Sequence, residues 1–192
     1  MLTMLERNTD EQTFITSIEE LYLLKPLEVF EKLSKASKKP LQKLRVFDLS
    51  IFEGKPLVSA GGVYLFFDSN NICLYVGKAT SRSFIERIPA HFDPRSYAWF
   101  TTFPNRVVKK ELTADYPSAL DFCANQCNLL LVKFNTNEEC SKQASLTEAY
   151  LQILFQPTLN LLRLKHSKIL PPEQIFSEYL QMYNVSSHPI SD

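Results

Sequence analysis

The stretch that decides the fold is GGVYLFFDSNNICLYVGK, residues 61–78. Two runs rich in β-branched and aromatic residues, 63–67 and 72–76, stand on either side of the polar tetrapeptide 68–71. Runs of this kind separated by a short turn sequence are typical of two antiparallel strands. The sequence therefore predicts a β-hairpin. Gly77, near the end of its second strand, lets the backbone turn or approach a ligand closely.

Helical patterns flank this hairpin on both sides. Upstream, apolar residues at 14, 18, 21 and 22 predict one helix, and Pro26 opens a second. Downstream, a helix begins at Ser83, and Pro89 inside it either kinks it or ends it early. The further predicted elements are helices at 106–112 and 117–126, a buried strand from Leu129 to Phe134, a helix at 144–155 stopped by Pro157, and a last helix at about 173–183.

Length and composition fit one compact domain. The chain has 192 residues, of which 45% are hydrophobic and 12% aromatic. A chain of this length can bury a core without disulfides or metals. Its aromatic content is too high for a disordered chain. Four cysteines without a CxxC pair favour buried free thiols over a zinc site. No apolar run approaches the ~18–20 residues of a membrane span. The first residues do not resemble a signal peptide, so we expect a cytoplasmic protein without a membrane partner.

Charge is balanced overall but unevenly distributed. The 21 basic and 21 acidic residues give a formal net charge of zero, which speaks against a nucleic-acid partner, because such domains are often strongly basic. Two segments, 25–45 and 78–110, nevertheless carry seven basic and two acidic residues each. These segments either line a groove for a nucleic-acid duplex or form solvated surfaces. The candidate contacts are Lys78, Arg82, Arg95, Tyr97, Trp99 and Arg106.

Residues with useful chemistry follow one another in a recognisable order along the hairpin and after it. Gly-Val-Tyr at 62–64 is followed, after ten residues, by Tyr-Val-Gly-Lys at 75–78, and an arginine, a histidine, a glutamate and an asparagine come later. Each piece alone has an ordinary structural explanation. Their order and spacing together resemble the GIY-YIG endonuclease family, over about residues 61–160. The residues that carry the resemblance are Tyr64, Tyr75, Lys78, Arg87, His91, Glu148 and Asn160.

The resemblance implies a fold and a domain organisation. The family has an α+β fold with a small mixed or antiparallel β-sheet flanked by helices. On this chain the nuclease core falls at 56–165 and carries an insertion at about 93–125. An N-terminal helical extension at 1–55 packs on the core, and a C-terminal helix and tail occupy 166–192.

The resemblance also implies a reaction and residue roles. Members hydrolyse phosphodiester bonds with one divalent cation, Mg²⁺ or Mn²⁺, and double-stranded DNA is the expected partner. The small size and the histidine are most similar to the restriction-endonuclease branch. By position, Tyr64 and Tyr75 match the motif tyrosines, Arg87 matches the catalytic arginine, and Glu148 matches the metal ligand. Asn160 matches the motif asparagine, and Lys78 matches the basic residue after the second motif. His91 occupies a position where some members have Tyr and certain restriction enzymes have His.

The chemistry can also be argued from the residues themselves. A lone carboxylate such as Glu148 suits one Mg²⁺ that keeps several waters and takes other ligands from phosphate. Arg87 can hold non-bridging phosphate oxygens bidentately. The general base is then a tyrosine or His91. Phenol, with a pKa near ~10, needs a neighbouring cation to lower it, and imidazole, near ~6.5, does not. We expect Tyr64 to take the proton with His91 assisting, and Tyr75 is the alternative base.

Two other functions stay open at this point. The chain could keep a GIY-YIG scaffold for binding nucleic acid or protein without cleavage. It could also be an unrelated α+β interaction protein. The choice between DNA and RNA, the cleavage specificity, the biological role and the oligomeric state are not given by the sequence.

Overall fold

A mixed five-stranded sheet forms the centre of the protein. The computed structural model describes residues 14–52, 55–56, 61–93, 95, 103–134 and 140–160. The described strands are β1 (Ile15–Ser17), β2 (Lys39–Pro40), β3 (Ile51–Phe52), β4 (Lys55–Pro56), β5 (Gly62–Phe67), β6 (Cys73–Ala79) and β7 (Asn128–Lys133). The sheet has the order β1-β7-β5-β6, and β2 also pairs with β7. Only β1 and β7 run parallel, and β3 and β4 form a separate antiparallel ribbon.

Five helices flank the sheet in the part of the chain that the structure describes. They are α1 (Pro26–Lys35), α2 (Phe84–Ala90), α3 (Phe103–Lys109), α4 (Tyr116–Gln126) and α5 (Cys140–Phe155). The mixed α+β class, the strand at 129–134 and the helices predicted around 106–112, 117–126 and 144–155 are thus confirmed, with ends shifted by a few residues. The helix predicted at about 173–183 lies outside the described residues. None of the described helices has the length and apolar character of a membrane span.

The predicted hairpin is confirmed as β5 and β6. The two strands pair antiparallel, and Tyr64 stands opposite Gly77. In the turn, the Asp68 carboxylate accepts the backbone N–H groups of Asn70 at 2.9 Å and Ile72 at 2.8 Å. Aspartate stabilises tight turns in this way. Together the turn and the pairing fix the register that brings the two strands' tyrosines close.

Successive residues of the central strands pack into two cores on opposite faces of the sheet. Tyr64 and Phe66 join the core that α2, α3 and α4 cover, whereas Val63 and Leu65 join the core that α1 and α5 cover. Strand side chains alternate between faces, so a strand covered on both sides is apolar throughout. This explains why β5 and β7 read as continuous apolar runs. Cys73, Cys123 and Cys127 are buried free thiols, as expected.

The helix predicted around residues 14–22 is wrong. The segment begins with β1 and continues as a 3-10 helix at Ile18–Glu20. The backbone N–H of Leu131 donates to the carbonyl of Phe14 at 2.9 Å, and Ile15 pairs with Leu131 in parallel. The free edge of β7 gains a hydrogen-bonding partner in this arrangement. The region at 14–56 therefore contributes strands as well as a helix.

The short helix that carries Arg87 ends just after its proline. Its first turn is capped because the backbone N–H of Ser83 donates to the Glu86 carboxylate at 2.9 Å. Pro89 lies in the last turn, and the helix ends one residue later at Ala90. Proline has no backbone N–H to donate to the carbonyl four residues earlier, so it weakens the turn that it occupies. His91 follows as the C-terminal capping residue of α2.

Candidate active site

The two motif tyrosines lie next to each other on the hairpin, one on each strand. The centroids of the Tyr64 and Tyr75 rings are 6.2 Å apart. A Cβ atom at Gly77 would stand 2.5 Å from both Cζ and the hydroxyl oxygen of Tyr64, and 2.7 Å from Cε1 of Tyr75. The glycine is therefore required because the tyrosine rings pass directly over its backbone.

A buried histidine is hydrogen-bonded to the first tyrosine. Nε2 of His91 lies 2.6 Å from the hydroxyl oxygen of Tyr64. The histidine exposes only 3% of its surface, and its Nδ1 has no hydrogen-bond partner among the described residues. The relative acidities of phenol and imidazole favour the hydroxyl as the donor to Nε2. His91 is thus placed to accept the phenolic proton.

Burial keeps these three side chains uncharged. It raises the pKa of Tyr64 and that of Tyr75 above the usual value for phenols. Burial, together with the positive charges of Arg87 and Arg106, lowers the pKa of His91 to about 3. At neutral pH both phenols are therefore protonated and the imidazole is neutral.

Arg87 lies one helical turn before His91 and is half-buried. A hydrogen bond and the charge of Arg87 act to lower the pKa of Tyr64, against the larger effect of burial. Its charge also acts to lower the pKa of Tyr75. The guanidinium is therefore close to both phenols, where it favours any negative charge that forms on them.

A second group, on the other face of the hairpin, consists of a lysine and a glutamate. Nζ of Lys78, on β6, lies 3.1 Å from a carboxylate oxygen of Glu148 and 3.0 Å from the hydroxyl of Ser145, both on α5. The lysine side chain is 36% exposed and the glutamate side chain 21%. The Glu148 carboxylate acts to raise the pKa of both tyrosines, so it lies near them. The two groups meet at β6, the edge strand of the sheet.

Asn160 completes the open edge of β6. Its side-chain oxygen accepts the backbone N–H of Val76 at 2.8 Å, and its side-chain nitrogen donates to the carbonyl of Val76 at 2.7 Å. An edge strand leaves such backbone groups without a partner strand, and buried ones need a replacement. The amide thus acts on the backbone beside Tyr75 and Gly77 and keeps the end of the hairpin in position.

Arg106, on α3, lies against the second tyrosine. Its Cζ is 5.0 Å from the centroid of the Tyr75 ring, a cation–π distance. One of its N–H groups donates to the backbone carbonyl of Leu159 at 3.0 Å. The segment between Arg87 and β7 therefore brings a second guanidinium to the tyrosine pair.

The structure also describes Arg82 and Arg95, two other basic residues named as nucleic-acid contacts. Arg82 is exposed in the loop before α2. Arg95 is also exposed and forms an ion pair with Asp93, whose pKa it lowers to about 2. Tyr97 and Trp99 lie outside the described residues. In the segment 25–45, the paired basic residues are Lys32 with Glu20, Lys35 with Glu31, and Lys39 and Arg45 with Asp48.

The donor set suits one hard divalent cation held by a single protein carboxylate. Among the described residues no group of three or more His, Cys, Asp or Glu side chains could hold a metal ion. Glu148 is a partly exposed oxygen donor near both phenols. Mg²⁺ commonly binds one or two carboxylates and keeps waters or substrate phosphates as its other ligands. The residues present therefore fit a Mg²⁺ or Mn²⁺ ion bound through Glu148.

Sequence reasoning missed two polar residues on α5. The hydroxyl of Ser145 accepts a hydrogen bond from Lys78, and the Gln152 amide donates to the carbonyl of Val76 at 3.4 Å. Together with Glu148 they occupy positions i, i+3 and i+7, which form one face of a helix. That spacing was the signal that could have identified them.

Comparisons of the chain with models of protein families, with curated proteins and with solved structures found no match.

Proposed function

We propose that this protein is a divalent-metal-dependent endonuclease that hydrolyses DNA phosphodiester bonds, with a GIY-YIG type of core and site. The observation that carries the proposal is that residues distant in the sequence lie close together in the structure. Residues spread from Tyr64 to Asn160 come together around the edge strand β6, through contacts such as Tyr64 with His91 and Lys78 with Glu148. Packing alone does not require a buried phenol–imidazole hydrogen bond beside an arginine and a carboxylate.

In this mechanism Tyr64 passes a proton from water to His91. The attacking water gives a proton to the Tyr64 oxygen, while the phenolic proton moves along the 2.6 Å hydrogen bond to Nε2 of His91. The oxygen ends with one proton, as it began, so no free phenolate accumulates. Bound phosphate is an anion, and it raises the low pKa of His91 toward the working range. The water oxygen bonds to phosphorus, the bond to the leaving oxygen breaks, and the departing alkoxide takes a proton from solvent water. His91 then releases its own proton to solvent after the product leaves, so the protons balance.

Positive side chains stabilise the charge that develops on the phosphate. Arg87 lies beside Tyr64 and can hold two non-bridging oxygens. Lys78 lies at the carboxylate and offers a third cationic donor. A cation held by Glu148 would supply further positive charge at the phosphate and lower the pKa of a coordinated water. These groups act where charge appears, which is the largest single source of catalysis in many hydrolases.

The test is cleavage of supercoiled plasmid and of mixed linear and branched DNA substrates with Mg²⁺ or Mn²⁺. We expect nicking by the wild-type protein, none in EDTA, and a loss of about a hundredfold or more in Glu148→Gln. Glu31→Gln, which removes an exposed carboxylate paired with Lys35 on α1, is the matched control and should cleave normally.

The same experiment separates cleavage from binding. A wild-type protein that binds DNA at low salt but cleaves no substrate would support a non-catalytic binding module on the same scaffold. A protein that neither binds nor cleaves would contradict both. RNA substrates tested in parallel decide which nucleic acid is used, and sequencing of product ends gives the specificity.

A further inference from the structure

We propose that Arg106 is a positioning residue of the active site, which holds Tyr75 and the turn before Asn160 in place, and is not a contact to the DNA backbone. This inference rests on the proposed nuclease function. It assigns a role in turnover to the segment between α2 and β7, which lies outside the motif residues.

The first support is the contact of Arg106 with Tyr75. The guanidinium lies 5.0 Å from the ring centroid, while the Tyr75 ring also stands 5.3 Å from the His91 ring and 6.2 Å from the Tyr64 ring. A cation over the face of the ring limits the tilt of the phenol. Arg106 therefore restricts where the Tyr75 hydroxyl points relative to the other two rings.

The second support is the contact of Arg106 with the turn that follows α5. One N–H group donates to the Leu159 carbonyl at 3.0 Å, and the Leu159 N–H donates to the Leu74 carbonyl at 2.8 Å. The next residue, Asn160, bonds both backbone groups of Val76. The turn is thus held between β6 on one side and α3 on the other. Loss of Arg106 would release one of its two anchors.

The third support is electrostatic. The charged groups that act on Tyr75 are Arg106, Arg87 and Glu148, and the neutral Tyr64 and His91 lie beside it. The guanidinium of Arg106 is the leading charge that lowers the pKa of Tyr75, and it also helps to keep His91 unprotonated. These effects concern proton positions during turnover. They predict a change in kcat and little change in DNA affinity.

The test compares Arg106→Gln and Arg106→Lys with Lys109→Gln. Lys109 is exposed on the same helix, so its removal matches the loss of charge without touching Tyr75. We expect Arg106→Gln to lower kcat about tenfold or more and to change KM less than about twofold. Arg106→Lys should recover part of kcat because it keeps the charge. Lys109→Gln should leave kcat unchanged.

A different result would overturn the inference. If Arg106→Gln raises KM and flattens the salt dependence of DNA binding while kcat stays normal, the residue is a phosphate contact. Melting temperatures identify variants that fail to fold. If Arg106→Gln fails to fold, the comparison is made between Arg106→Lys and Lys109→Gln. A wild-type protein without cleavage contradicts the proposed function and not the placement of Arg106. That placement is read separately from the ¹³C resonance of the Tyr75 ring, assigned with Tyr75→Phe, which should shift in Arg106→Gln and not in Lys109→Gln.

Discussion

Replacing Tyr64 with phenylalanine removes one oxygen atom from the centre of the site. The ring remains, so its packing against Gly77 and Phe66 is kept. The lost group is the hydroxyl that lies 2.6 Å from Nε2 of His91. Tyr64→Phe therefore tests the proton path with the smallest change in shape.

The expected size of the effect follows from burial. His91 is 3% exposed and its Nδ1 already has no partner among the described residues, so the substitution leaves a second ring nitrogen unsatisfied. A buried polar group without a partner costs about 1–3 kcal/mol of the free energy of unfolding. For a chain of this length each kcal/mol lowers the melting temperature by roughly 2–4 °C. Loss of a general base lowers kcat by about 10²–10⁴-fold.

The assay measures plasmid nicking and thermal unfolding on the same preparations. Tyr150→Phe is the control, because Tyr150 is buried in the core on the other side of the sheet. It should lose stability without a comparable loss of cleavage. Full activity of Tyr64→Phe, with cleavage by the wild type established, would refute the assignment of Tyr64 as proton acceptor and leave His91 or Tyr75 in that role.

Two further predictions concern the same cluster. The pKa of His91 is about 3 in the folded protein and 6.5 in the reference state, so the unfolded chain binds more protons between these values. The contribution of His91 to the free energy of unfolding has its full value above pH ~6.5 and falls by roughly 1.4 kcal/mol per pH unit as the pH drops toward 3. Urea midpoints at pH 7, 5 and 4 should therefore decline more steeply for wild type than for His91→Gln. Gly77→Ala would place a Cβ atom 2.5 Å from the Tyr64 ring, so we expect a loss of about 1–3 kcal/mol in stability and of nicking; an unchanged melting temperature would show that the rings can move aside.

Local patterns were sufficient for the hairpin and for most helices, but not for the amino-terminal strand. The hairpin has turn residues and two apolar runs within one short stretch, so its signal is contained in neighbouring positions. β1 is only three residues long and pairs with β7, more than a hundred positions away. Its apolar residues fit helical spacing as well as a strand. The parallel partner that decides between the two lies outside any local window.

In the candidate site, too, some features can be predicted from sequence spacing and others depend on tertiary packing. Spacing singles out Tyr64, Glu148 and Asn160 as candidates, and the structure gathers these three residues around β6. Spacing does not show where the side chain of Arg106 points, because this depends on how α3 packs against the sheet. In the sequence alone, a basic residue in a basic segment favours a nucleic-acid contact, whereas the contact of Arg106 with Tyr75 depends on the tertiary fold.

The placement of charge also shows how a neutral chain is compatible with the proposed nucleic-acid substrate. Much of the basic segment at 25–45 is neutralised by acidic residues of the same region, as in the pairs of Lys32 with Glu20 and Arg45 with Asp48. The cations Arg87 and Arg106 instead surround two uncharged phenols. In the proposed function, the positive potential of these two arginines acts on phosphate at the cluster and not along an extended stretch of duplex. The proposed nuclease would therefore gain little from nonspecific attraction, and we expect its selectivity to come from contacts made close to the scissile bond.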